Sequence, residues 1–198
     1  VTELEFFDRF ERHVKESGYA YRRLDLVSFH LSAKCCDLTI LGGVSGTGKS
    51  TLPRLYAQAL AGDEIEAETR HLYVSVSPSW LDMRDLVGHL NSLERRFQPS
   101  ESGLYRHLIN AQEEFQLQES ETGIYLITLD EMNLSHVEHY FSAFLPALEK
   151  PHGQREVRCF EQHSVDPKSS FSNWPSLTLP PALRFIGTVN FDETTKQL

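Results

Sequence analysis

Residues Gly43-Val-Ser-Gly-Thr-Gly-Lys-Ser50 follow the spacing G-x-x-x-x-G-K-[ST], which suits a loop that wraps a chain of phosphates. Gly43, Gly46 and Gly48 lack a Cβ, so the backbone can turn tightly and approach an anion. Successive N–H groups and the start of a following helix then point at the negative charge. In this reading Val44, Ser45, Thr47 and Thr51 complete the loop around the phosphates. Lys49 brings a cation to the β- and γ-phosphates, and Ser50 offers its hydroxyl to Mg²⁺. Asp130-Glu131 ends an apolar run and provides two carboxylates for two tasks. Asp130 suits a Mg²⁺ ligand, directly or through water, and Glu131 suits orienting and polarising an attacking water. Asn190 ends another apolar run, where its amide can contact a γ-phosphate or that water. The catalytic candidates are therefore Glu131, Lys49 and Asn190, the metal candidates Ser50 and Asp130, and the ligand ATP or GTP with Mg²⁺. Taken singly, each signal has a plain alternative: a chance glycine loop, an acidic turn, an amide capping a turn.

These residues need strands to present them. Asp37–Leu41 reads as a strand before the glycine loop, and 51–60 as the helix after it. Further strands are expected at Leu72–Val76, Ile124–Leu129 and Leu183–Val189. The 124–129 run is almost wholly apolar, as for a strand buried on both faces. Strands alternating with helices predict an α/β fold: a three-layer αβα sandwich around a parallel sheet, of the P-loop NTPase type. Such folds bind ligands beyond the carboxyl ends of the strands, where Gly43, Asp130 and Asn190 all fall.

Residues 1–36 read as a helical segment flanking the loop. Thr2 and Glu5 form a capping box, Phe6, Phe7, Phe10 and Val14 repeat at helical spacing, and Gly18 ends the helix. A second helix is expected over 20–33 with Leu24, Val27 and Leu31 as its apolar face. Residues 37–198 form the core. In it 92–103 reads as irregular and 104–118 as a helix. A helical stripe runs through Leu134, Val137, Phe141, Phe144 and Leu148, opened by a Ser135/Glu138 capping box. Residues 151–181 read as an insertion in which Glu156–Phe160 supplies a hairpin strand. Pro53 lies so soon after the loop that it must fit the first turn of its helix. Tyr19 and Tyr21 are candidates to stack on a base, or simply to pack.

Of the 198 residues, 40% are hydrophobic and 24% charged, enough for an ordinary globular core. The net charge of −9 argues against a broad nucleic-acid-binding surface. No apolar run reaches the length of a membrane span, and the N-terminus lacks the basic and apolar regions of a signal peptide. Val1 in place of Met points to a piece cut from a longer chain. Cys35, Cys36 and Cys159 match no zinc spacing and read as packed thiols in a reducing compartment, hence a cytoplasmic protein. His136 and His139, spaced i, i+3, read as a solvated helix face.

Six blocks together resemble the McrB-like branch of AAA+ ATPases: Ser28–Ala33, Leu38–Ser50, Ser79–Gly88, Gly103–Leu108, Asp130–Glu138 and Ile186–Thr195. The resemblance spans most of the chain, and the blocks at 79–88 and 186–195 are the most discriminating. It implies the motor subunit of a modification-dependent restriction system. Such subunits form homo-oligomeric rings, usually hexamers, work with a nuclease partner, and read DNA through other domains. It gives Lys49 and Ser50 to phosphate and Mg²⁺, Asp130 to Mg²⁺, Glu131 to water and Asn190 to a sensor of the γ-phosphate. It makes 151–181 a hairpin preceding the sensor strand, of a kind that can face the ring pore.

McrB itself prefers GTP and carries Met-Asn-Thr-Ala-Asp at its sensor, where this chain has Val189-Asn-Phe-Asp-Glu193. With no Asn-Lys-x-Asp guanine-reading motif, ATP is the expected nucleotide. The sequence runs only eight residues past Asn190, too few for a fifth strand, an arginine finger and a helical lid. The chain alone is therefore expected to bind nucleotide weakly and hydrolyse it poorly. A small-molecule kinase and a non-hydrolysing nucleotide-gated scaffold remain as alternatives. A kinase lacks its arginine-rich lid here, and intact Lys49, Asp130 and Glu131 speak against the scaffold.

Overall fold

In the computed structural model, residues 2–118 and 123–191 are described. The chain runs α1 (Glu3–Glu16), α2 (Arg23–Cys35), β1 (Leu38–Gly43), α3 (Thr51–Ala61), α4 (Glu64–Arg70) and β2 (His71–Ser75). Then follow α5 (Met83–Leu86), β3 (Gly88–Asn91), β4 (Arg96–Pro99), α6 (Leu104–Gln118) and β5 (Tyr125–Asp130). A 3₁₀ turn (Met132–Leu134), α7 (Val137–Tyr140), α8 (Phe144–Leu148), β6 (Glu156–Arg158), a second 3₁₀ turn (Gln162–Ser164), β7 (Ser176–Thr178) and β8 (Leu183–Asn190) complete it.

Strands β1, β8, β5 and β2 form one sheet in that order, all parallel. Helices cover both faces, an α/β arrangement compatible with a three-layer sandwich. On one face Phe10, Val14, Leu26, Phe29, Leu55 and Tyr56, from α1, α2 and α3, pack on Leu126 and Ile186. On the other, Leu104, Leu108, Phe141 and Phe144 pack on Ile127, Leu129 and Phe185. The alternation of Phe185 and Ile186 between these cores is the period of two of a strand buried on both sides. Each fully buried Phe or Leu contributes about 2 kcal/mol. Among the described residues no helix is long and apolar enough to cross a membrane.

Several elements form as the sequence leads one to expect. Thr2 Oγ1 accepts from the Glu5 N–H and Glu5 Oε2 from the Thr2 N–H, closing the box on α1. Gly18 leaves the helix at φ +81°. Pro53 is the third residue of α3, where its missing N–H is one of the orphan donors of a helix start. Residues 156–158 pair antiparallel with 176–178, as a hairpin piece of the insertion. That insertion is packed rather than protruding: Val157, Phe160, Val165 and Leu177 are buried in the second core. Arg155 at its start reaches Asp37 at 2.7 Å, just ahead of β1.

Other expectations are corrected. The α2 helix starts three residues later than expected and buries Leu26, Phe29, His30 and Ala33. Leu24 and Leu31 of the expected apolar face are 70% and 50% exposed. Both stripes have helical spacing, and the one carrying Phe29 wins the contact with α1 and α3. The 92–103 stretch is not irregular throughout, because Arg96–Pro99 pairs antiparallel with Gly88–Asn91. One apolar residue anchors it: Phe97 lies 4.5 Å from the Tyr105 ring and 4.9 Å from that of Phe160.

The stripe from Leu134 to Leu148 is a 3₁₀ turn and two short helices, not one helix. Pro146 is the reason: proline fits only a first turn, and here it is the third residue of α8, so the preceding helix must stop. The Ser135/Glu138 box does not form. His136 takes the cap position without a side-chain bond, and Ser135 Oγ donates to the Trp80 carbonyl. Cys35 and Cys36 are exposed rather than packed. Cys159 is partly buried, and burial pushes its thiol up to about 12.

Candidate functional site

The register of the sheet sets the geometry. Gly43 lies beside Asn190 in the β1–β8 pair, and Ser75 beside Asp130 in the β2–β5 pair. The loop after β1, the acidic end of β5 and the end of β8 therefore share the carboxyl edge of the sheet. A cleft of ≈ 300 Å³ opens there, lined by Tyr19, Gly46, Lys49, Ser50, Glu131 and Asn190 among others. A larger cleft of ≈ 470 Å³ shares Ser50 and Thr51 with it and extends past Arg54, His71 and Tyr73. The smaller one holds the convergent polar groups, so it is the candidate site.

The loop fits a phosphate chain. Gly46 and Gly48 have φ +78° and +83°, the left-handed region open to glycine. Among the described residues, the backbone N–H groups of Gly46, Gly48 and Lys49 donate to no backbone carbonyl. A cradle of unbonded donors at the start of a helix is what an anion requires. Behind it, the Tyr21 hydroxyl donates to the Gly48 carbonyl at 2.8 Å. A Cβ on Gly48 would lie 2.3 Å from that oxygen, so only glycine fits. Burial, then the neighbouring Tyr19, raises the Tyr21 hydroxyl pKa. Tyr21 thus packs against the loop, while Tyr19 lines the cleft. Lys49 Nζ donates to the Val44 carbonyl at 2.7 Å, and Thr47 Oγ1 to the same oxygen at 2.9 Å.

Asp130 is held by three hydroxyls. Ser50 Oγ and Thr188 Oγ1 donate to its Oδ1, the latter at 2.7 Å, and Tyr73 donates to its Oδ2. Burial first, and then the bond to Asp130, pushes the Tyr73 phenol well above its ordinary range. The contact between Ser50 and Asp130 brings together the two side chains expected to hold Mg²⁺. An all-oxygen pair of this kind fits that hard cation.

Glu131 stands at φ 53°, ψ 46°, a left-handed conformation that costs a residue with a side chain about 1–2 kcal/mol. Its N–H donates to Thr188 Oγ1 at 2.9 Å, and its Oε1 accepts from Asn190 Nδ2 at 2.8 Å. The Asn190 carbonyl in turn accepts from Asn133 Nδ2 at 3.2 Å.

Every expected site residue lies at this edge. Tyr73, Thr188 and Tyr21, as hydrogen-bond partners, were not foreseen. Thr188 had a legible signal: a polar residue inside an apolar strand, on the same face as Asn190 two positions on. Tyr73 had none, because its hydroxyl reaches Asp130 from the neighbouring strand. His136 and His139 are exposed, their rings 5.2 Å apart, with His136 Nδ1 3.2 Å from Glu138. Among the described residues no group of three or more His, Cys, Asp or Glu could hold a metal. The last four residues of the 186–195 block lie outside the described residues.

No protein-family model matches the chain, and no curated protein matches its sequence.

Proposed function

We propose that this chain binds a nucleoside triphosphate with Mg²⁺ and hydrolyses it, with ATP as the nucleotide. The observation that carries the reading is the meeting of Ser50 with Asp130 beside the Glu131–Asn190 pair, at the mouth of a loop of unbonded N–H groups. The loop N–H groups would take the phosphates, and Lys49 would exchange the Val44 carbonyl for a phosphate oxygen. Ser50 and Asp130 would hold Mg²⁺, which when bound neutralises charge on the β- and γ-phosphates. Glu131 would accept a proton from the attacking water, and Asn190 would fix the direction of its carboxylate.

The six blocks resembling McrB-like AAA+ ATPases support a place for this chemistry in a ring motor. In that reading the chain assembles with copies of itself, serves a nuclease partner, and leaves DNA recognition to other domains. The test is calorimetric binding of ATP and GTP with Mg²⁺, with Lys49→Ala as control. Binding of ATP that weakens about tenfold or more in the variant is expected. Selective GTP binding would replace the nucleotide. Binding of neither by the full chain would overturn the reading.

A further inference from the structure

We infer that Thr188 is a positioning residue that locks the metal-binding and water-polarising carboxylates of the site to each other. This inference rests on the nucleotide-hydrolysis reading above. Thr188 is 1% exposed and sits in β8, where Gly187 pairs with Leu129, so the next residue along lies beside Asp130. Its hydroxyl makes two bonds: Oγ1 accepts from the Glu131 N–H at 2.9 Å and donates to Asp130 Oδ1 at 2.7 Å.

The polarity of this relay is fixed. A backbone N–H can only donate, so Thr188 Oγ1 must accept from Glu131. Its single proton is then left for Asp130. One buried oxygen therefore sets the rotamer of Asp130 and the left-handed backbone of Glu131 at once.

The other hydroxyls on Asp130 cannot do this. Ser50 is a candidate metal ligand, and its hydroxyl must leave Asp130 to serve as one. Tyr73 is 49% exposed and bonds the other oxygen of the Asp130 carboxylate. Thr188 alone of the three also holds Glu131. Thr188 also lines the floor of the cleft, but its hydroxyl is spent on Asp130 and the Glu131 N–H, so it acts through the two carboxylates.

The test is steady-state hydrolysis by the full chain against nucleotide and Mg²⁺ concentration, for wild type, Thr188→Val and Thr188→Ser. Valine keeps the shape and removes the hydroxyl; serine keeps the hydroxyl and removes the methyl. Thr188→Val is expected to lower kcat about 10–100-fold and raise the Mg²⁺ requirement about tenfold, with nucleotide KM within about threefold. Thr188→Ser is expected to stay within about threefold of wild type. A Thr188→Val protein within about twofold of wild type in kcat and Mg²⁺ requirement would overturn the inference. So would a serine variant as impaired as the valine one, because the role would then be packing. Thermal melts check folding, and Thr188→Ala takes the place of Thr188→Val under the same criteria if that protein does not fold. Wild type that neither binds nor hydrolyses nucleotide, like Lys49→Ala, overturns the functional reading itself. An active wild type with an unaffected Thr188→Val overturns only the role of Thr188.

Discussion

Asn190 Nδ2 donates to Glu131 Oε1 over 2.8 Å, joining two residues 59 positions apart at the ends of neighbouring strands. The bond turns the carboxylate toward the cleft that Lys49 and Ser50 also line. For a general base, orientation matters as much as proton affinity.

Glu131→Gln should therefore retain nucleotide binding and slow hydrolysis about 10²–10⁴-fold. Asn190→Ala should slow it about 10²-fold by releasing the carboxylate. Single-turnover hydrolysis alongside equilibrium binding separates the two effects. Unchanged turnover in Glu131→Gln would remove the water-polarising role.

Gly46 and Gly48 share a left-handed backbone but not a neighbourhood. Around Gly46 nothing lies within 4 Å of an added Cβ, whereas at Gly48 the Tyr21 oxygen lies at 2.3 Å. Gly46→Ala should cost about 1 kcal/mol, the backbone penalty alone. Gly48→Ala should cost about 2–3 kcal/mol and displace Tyr21. Chemical denaturation of both variants checks the order; equal losses would show that Tyr21 does not press on the loop.

Burial lowers His71 to about 4, with Arg54 as a second cause. It also lowers His107 to about 4, helped by His71. Above pH 6.5 both are neutral whether the chain is folded or unfolded, and their contribution is constant. As pH falls from about 6.5 to 4 the unfolded chain takes up protons that the folded one refuses, so stability declines across that window. Each histidine accounts for at most about 3 kcal/mol, and the pair for less than twice that because they interact. Urea melts between pH 4 and 7 measure the slope; His107→Phe, which removes one of the two titrating groups, should reduce it and leave the share due to His71.

Arg155 is 7% exposed and closes an ion pair with Asp37, which is 26% exposed at its side chain. Burial raises the Asp37 pKa, but the Arg155 hydrogen bond and charge outweigh it and hold the carboxyl below its ordinary range. Arg155→Ala leaves that carboxylate only the longer contact with Arg184 at 3.8 Å and should destabilise by about 1–3 kcal/mol, less than for a fully buried pair. A change within about 0.5 kcal/mol in denaturant melts would show that the pair contributes nothing.

The loop, the Asp130-Glu131 pair and Asn190 were legible because their signals are local: glycines at fixed spacing and polar residues ending apolar runs. The parallel sheet followed from alternation of strands and helices. What was hidden depends on lateral register or on competition between neighbours. The bond from Tyr73 to Asp130 needs β2 set against β5. The buried face of α2 needs the positions of α1 and α3, since Leu24–Leu31 and Leu26–Ala33 are equally periodic. The break ahead of α8 was written in Pro146, a local signal outweighed by the apolar stripe around it.

Strand β1 has the glycine loop at one end, while just before its other end Asp37 is gripped by Arg155 of the insertion, with Arg184 of β8 at 3.8 Å. Six residues at about 3.3 Å each make a strut roughly 20 Å long. Its two ends have no separate freedom along its axis. An insertion that shifts relative to the sheet must either snap the Arg155 clasp or pull on the strut that carries Gly43.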